Sequence, residues 1–133
     1  MAETNTPGQL LARDERRVLV VEDDRNIADV LVTALEDEGY AVRAAGDGRQ
    51  ALQVLRTWSP RVVLLDLMLP LLDGWSLLQQ CQREGLAREA RVVVVSASRN
   101  TPVIGSSEPP VAAVIPKPFD LTHVLATVAS LLS

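Results

Sequence analysis

The chain is short of the residues that most often carry redox, zinc or nucleic-acid chemistry. Among its 133 residues there is one cysteine, Cys81, so no internal disulfide can form, and nothing else points to an oxidising compartment. A single histidine, His123, leaves no His/Cys set for zinc. Aromatic residues make up only 3%, so Leu, Val and Ala must fill any core. Thirteen Lys and Arg stand against 17 Asp and Glu, a net charge of −4 with no basic cluster. Nucleic-acid binding by this chain alone is therefore not expected. No apolar run is long enough to cross a bilayer, and the N-terminus lacks an apolar signal core, so a soluble cytoplasmic protein with no membrane partner is expected. A glycine-rich phosphate loop of the Walker or Rossmann type is also missing.

What the chain does have is apolar residues, 47% of the total, in short runs that each stop at a polar residue. Val18 to Val21 runs into Glu22-Asp23-Asp24, and Val62 to Leu65 into Asp66. Val92 to Val95 runs into Ser96, and Val111 to Ile115, through Pro116, into Lys117-Pro118. Uninterrupted runs of this length read as strands buried on both faces, as in a parallel sheet covered by helices. In such a sheet the ligand site lies beyond the carboxyl ends of the strands. Here those ends carry carboxylates, a hydroxyl and an amine, which suits a divalent metal and a phosphoryl group.

The length suits one domain with one core. Residues 1–15 are polar and unpatterned and are expected to form a flexible tail, leaving 16–133 as the domain. Strands are predicted at about 17–21, 40–44, 61–65, 91–95 and 111–115. After the first strand, Ile27, Val30, Leu31, Ala34 and Leu35 share a helical face, with Asp24 as N-cap. Asp47-Gly48-Arg49-Gln50 resembles a capping box opening a second helix, which turns Ala51, Leu52, Leu55 and Trp58 inward and ends at Ser59-Pro60. A helix over 74–84 presents Leu77, Leu78 and Cys81, and a last one begins at Asp120. Alternating strands and helices predict an α/β fold, a parallel sheet with right-handed crossovers. The segment Ser98 to Pro110, SRNTPVIGSSEPP, should hold the fourth helix but contains three prolines and a glycine, so that helix is expected to be short or disordered.

Glu22, Asp23 and Asp66 come together if the first and third strands are neighbours. Clustered carboxylates raise one another's pKa unless a cation is present, and hard oxygen donors favour Mg²⁺ or Mn²⁺. The plain alternative is a set of solvated helix-entry acids, which Asp24 alone fits. Asp66, fixed at a strand end, is the best nucleophile candidate, since carboxylates can attack phosphorus. Lys117 could pair with it or with a phosphoryl oxygen, and Ser96 could donate a hydroxyl. Taken singly, Lys117 reads as a solvated surface charge and Ser96 as a turn residue. His123 lies off the apolar face of the last helix, and Cys81, Trp58 and Trp75 read as packing residues.

In their order and spacing, VLVVEDDRNI, VVLLDLMLPLLDGW, VVVVSAS and VIPKPF resemble the receiver domain of bacterial two-component response regulators, the chemotaxis-regulator type included, from about Arg17 to Ser133. The resemblance implies a single doubly wound five-stranded sheet of flavodoxin-like order 2-1-3-4-5 with helices on both faces. It implies that Asp66 accepts a phosphoryl group from a phosphohistidine on a sensor histidine kinase or phosphotransfer protein, in a phosphorelay. Glu22 and Asp23 then fill the acidic pair, and the Met68 backbone carbonyl joins Asp23 and Asp66 as a Mg²⁺ ligand. Ser96 takes the switch-hydroxyl position and Lys117 that of the family lysine, followed by a cis peptide to Pro118. The protein would be a signalling switch that catalyses only its own phosphorylation and dephosphorylation, as a monomer or weak phosphorylation-dependent dimer, with a downstream protein partner. Glu22 departs from the commoner Asp, Val114 stands where many members carry Tyr or Phe, and the 98–110 segment departs from the usual output face. Val114 and that segment support an alternative, a receiver-like interaction scaffold with phosphorylation-independent output. A Mg²⁺-dependent phosphatase with an Asp nucleophile would want a second Asp two residues on, where Met68 stands.

Overall fold

Valine-rich strands can lose both faces to the core only if helices cover both sides, and that is the arrangement in the computed structural model, which describes residues 13–98 and 110–133. A 3₁₀ turn, Arg13–Arg16, leads into β1 (Arg17–Val21), α1 (Arg25–Asp37), β2 (Ala41–Ala45), α2 (Gly48–Thr57) and β3 (Val62–Leu65). Then come α3 (Gly74–Glu84), β4 (Arg91–Ser96), β5 (Val111–Pro116) and α4 (Leu121–Leu132). The sheet is parallel throughout in the order β2-β1-β3-β4-β5. This is the expected doubly wound topology. Residues 13–15, assigned to the tail by their polarity, belong to the 3₁₀ turn. The rest of the predicted tail lies outside the described residues, as does the expected short or disordered helix within 98–110.

Period-two alternation sorts the strand side chains onto the two faces. Leu19, Val21, Val63, Leu65, Val92 and Val94 join Ala51, Leu55, Leu77 and Cys81 in one buried cluster, under α2 and α3. Val18, Val20, Val62, Leu64, Val93, Val95 and Ile115 join Leu31, Leu35, Val124 and Val128 in the other, under α1 and α4. Each such side chain contributes roughly 1.5–3 kcal/mol by leaving water. The outer strand β2 is half-buried or exposed along most of its length, because helices cover the sheet's middle more fully than its edge.

Helix starts set where the loops leave the sheet. Asp24 accepts from the N–H groups of Asn26 and Ile27, Asp73 from that of Ser76, and Asp120 from that of Thr122. Asp47 caps α2 through Gln50 N–H as the capping-box pattern requires. Gln50 reaches back to Gly46 N–H at 2.8 Å, one residue earlier than a standard capping box.

The loop between β3 and α3 is clamped by two glycines. Gly74 N–H donates to the Leu67 carbonyl at 3.0 Å, and a Cβ on Gly74 would lie 2.7 Å from Leu67 Cα. Gly48, in the first turn of α2, meets the same loop, and a Cβ there would collide with the carbonyl of Leu72. Leu67 and Leu69 are buried in the adjoining cluster, with Leu72 packed against it. Gly48→Ala is therefore expected to destabilise the fold by about 1–3 kcal/mol through overpacking, read as a lower urea midpoint at unchanged slope.

Candidate functional site

Strand register brings the polar strand ends onto one edge. Val21 pairs with Ala45 and Leu65, Leu65 with Val94, and Ser96 with Pro116. Backbone bonds carry the ladder one residue further: Glu22 N–H to the Ala45 carbonyl, Asp66 N–H to Val21 and Lys117 N–H to Ser96, at 3.0, 3.0 and 3.1 Å. Glu22 and Asp66 thus stand level, with Ser96 one residue and Lys117 two residues further along, at the carboxyl ends of four adjacent strands. That is why residues far apart in sequence meet.

Asp66 is 5% exposed and its carboxylate is fully engaged. Oδ1 accepts from Ser96 Oγ at 2.8 Å and from Met68 N–H at 2.9 Å. Oδ2 accepts from Lys117 Nζ at 2.8 Å. Lys117 also meets Glu22 Oε1 at 2.6 Å, and Glu22 Oε2 accepts the Asp24 N–H at 3.0 Å. Ser96 Oγ in turn accepts the N–H of Ser98 at 3.1 Å. The peptide between Lys117 and Pro118 is cis. Asp23, next in the chain to Glu22, faces solvent.

One lysine cannot balance this pocket. Oxygen atoms of Glu22, Asp23 and Asp66 lie within 4.8 Å of one another, and a single ammonium against three carboxylates leaves two negative charges uncompensated. Burial pushes the Glu22 carboxyl above its usual range, more than Lys117 and the Asp24 N–H pull it down. Burial also opposes the charge on Lys117, but its hydrogen bonds to Asp66 and Glu22 outweigh that and hold its proton more tightly than usual. Both groups therefore favour the proton, Glu22 because it is buried and Lys117 because both acids accept its hydrogen bonds. The donor set, all oxygen and partly open to water, fits a hard divalent cation such as Mg²⁺.

The structure brings Glu22, Asp23, Asp66, Ser96 and Lys117 together. Met68 supplies an N–H to Asp66, while its side chain is 61% exposed. His123 is exposed on α4. Cys81 is buried, and burial pushes its thiol up to about 11, which keeps it unreactive at neutral pH. Gly48 and Gly74, which clamp the loop behind Asp66, carried no chemical signal in the sequence. The closeness of Glu22 to Lys117 was equally hidden, although Lys117 is the only lysine among 13 Lys and Arg, a scarcity that marks it out.

Residues 18–129 match the family model for the response regulator receiver domain. The chain is similar to the response regulator MprA of Mycolicibacterium vanbaalenii, 36% identical over 116 residues that cover 87% of this chain and 50% of that protein. It is similar to the transcriptional regulatory protein DltR of Streptococcus agalactiae, 34% identical over 113 residues covering 84% and 50%. The chain thus spans about half the length of these curated relatives. Among solved structures, the receiver domain of a Francisella response regulator superposes with a TM-score of 0.75 at 29% identity, over 88% of this chain and 96% of that one. A CheY-like receiver domain protein of Methanospirillum hungatei gives 0.77 at 27% identity, over 89% and 94%.

The charge balance has a measurable consequence. A raised Glu22 pKa means that the folded state binds this proton more tightly than the unfolded chain, so its contribution to stability falls as pH rises above 4.5. The contribution of Lys117 is complete below 10.5 and is lost as pH climbs through its higher folded value. Lys117→Met removes the only ammonium between two buried acids and is expected to cost about 3 kcal/mol at pH 7. The loss should shrink as pH falls towards 4.5 and Glu22 takes up its proton, as measured by urea unfolding across pH.

Proposed function

We propose, on the premise that the chain belongs to the response regulator receiver domain family, that Asp66 is its phosphoacceptor in a Mg²⁺-dependent phosphorelay. The observation that carries this reading is a buried carboxylate held by Met68 N–H, Ser96 Oγ and Lys117 Nζ beside two further acids. As a receiver domain the chain is a signalling module. Its chemistry, in this reading, is limited to its own phosphorylation and dephosphorylation.

An Asp66 oxygen attacks the phosphorus of a phosphohistidine. The P–N bond breaks, and the imidazole nitrogen leaves with the electron pair and takes up a proton. Because three donors already orient the carboxylate, little reorganisation precedes the attack. Lys117 then holds an oxygen of the transferred group, and Ser96 exchanges Asp66 Oδ1 for another. Glu22, Asp23, Asp66 and the Met68 carbonyl would hold Mg²⁺, or Mn²⁺ in its place, which neutralises charge on the phosphoryl group. Later, water attacks the same phosphorus, releasing phosphate and restoring the carboxylate.

The output step follows from Ser96. When its hydroxyl turns to the phosphoryl group, its bond to Ser98 N–H is disturbed at the exit of β4, and a charge change becomes a loop change. Val114 on β5 is half-buried against the cluster under α2 and α3, so the readout would proceed without an aromatic swinging inward. Val114 also favours the second reading, a scaffold whose contacts ignore phosphorylation. We place the receiver unit at 16–133, cytoplasmic, a monomer or weak phosphorylation-dependent dimer. Its partners would be a sensor histidine kinase or phosphotransfer protein and a downstream protein, without nucleic acid or membrane. Among the described residues no helix is long and apolar enough to cross a membrane.

With Mg²⁺ and acetyl phosphate, mass spectrometry should find one phosphoryl group on the wild-type chain and none on Asp66→Asn or after chelation. Lys117→Met should slow labelling by about 10²-fold. Labelling that persists in Asp66→Asn would refute the assignment.

A further inference from the structure

The loop behind Asp66 exposes apolar side chains that its own fold does not use. Four large hydrophobic residues are exposed among the described residues, and three of them, Met68 at 61%, Leu71 at 71% and Trp75 at 36%, fall within eight positions. Met68 is tied to Asp66 Oδ1 through its N–H. The Gly74 N–H to Leu67 carbonyl bond closes the loop, so Met68 and Trp75 flank the closure while Leu71 stands at the tip. Leu67 and Leu69 point into the core, which fixes their neighbours outward. The apolar groups are therefore presented on a rigid base rather than on a loose strand.

Leu71 is the telling residue. It holds φ 68°, left-handed backbone that a leucine rarely adopts and that Gly or Asn tolerates. Its side chain is also left in water, so neither backbone nor burial explains a leucine there. Strain of this kind, combined with an exposed apolar group, marks a surface that is completed by something else.

We infer that Met68, Leu71 and Trp75 form the apolar anchor for the phosphohistidine protein that serves Asp66. This rests on the phosphoacceptor reading and adds to it the docking chemistry of the donor. The position selects the occupant: Asp66 is buried, and a protein whose phosphorylated side chain reaches it must lie across Met68, two residues away. A small phosphodonor needs no such cover. The other side of the mouth, at Asp23, Asp24 and Arg25, is exposed and of mixed charge. The donor surface that fits is apolar on the side facing the loop, which gives the anchoring.

The test compares donors. Purified sensor kinases encoded in the same genome are autophosphorylated with radiolabelled ATP, and the one that labels the wild-type chain fastest is kept, with acetyl phosphate as the small donor. Leu71→Asn suits the left-handed backbone while removing the apolar group, and Trp75→Gln removes the second anchor. Each should slow transfer from the kinase by about tenfold or more, leave acetyl phosphate labelling unchanged, and leave the Tm of Leu71→Asn at or above that of the wild type. Kinase transfer at the wild-type rate in both variants would overturn the inference, as would a wild-type chain labelled by acetyl phosphate but by none of the kinases. A wild-type dimer in sedimentation that Leu71→Asn dissociates, with transfer unchanged, would overturn it in favour of a second copy of the chain. Failure of acetyl phosphate to label the wild type would instead sink the phosphoacceptor reading itself.

Discussion

The ammonium of Lys117, set between the buried carboxylates of Glu22 and Asp66 at 2.6 and 2.8 Å, is the interaction on which the site depends. Buried acids are tolerable only when charge or hydrogen bonds compensate them. Here the compensation is deliberately incomplete in sign: three acids face one base. That shortfall makes the pocket receptive to a divalent cation. In the proposed reaction the same lysine would gain a phosphoryl oxygen to hold, so the group that stabilises the resting site would also serve the reacting one.

The sheet makes this meeting possible at small cost. Parallel strands all end on the same edge, and covering helices allow those strands to be wholly apolar until the last residue. Polar groups can then be placed at strand ends without disturbing the core. The β3–α3 loop adds a second constraint. Gly48 and Gly74 let backbone approach backbone, and Leu67 and Leu69 anchor the loop inward. The Met68 N–H is thereby held on Asp66, and the side chains of Met68, Pro70 and Leu71 are held out in solvent.

Most of the fold was legible because its signals are local. Runs such as Val62 to Leu65 announce two-sided burial, and Asp24, Asp47 and Asp120 each cap the helix that follows. Five of the site residues could be picked out because they stand at or just beyond strand ends, and parallel strands leave little choice about where their ends go. Errors were small and physical in origin. Polarity alone suggested a tail through residue 15, yet backbone hydrogen bonds close a 3₁₀ turn at Arg13–Arg16. Gln50 reached Gly46 rather than its own cap residue, a choice set by side-chain length and backbone direction together.

The sequence by itself determined the two-faced strands, their alternation with helices, and the chemical kinds gathered at the strand ends. These follow from periodicity and caps, which act over a few residues. Only the tertiary structure decided that Lys117 bridges Glu22 as well as Asp66, that Ser96 rests on Asp66 Oδ1, and that Gly48 must lack a side chain to clear Leu72. It also decided that Leu71 stands exposed in a left-handed turn. Such facts depend on distances between residues 20 to 100 positions apart, set by register and helix packing to within about an ångström, and no pattern along the chain encodes them.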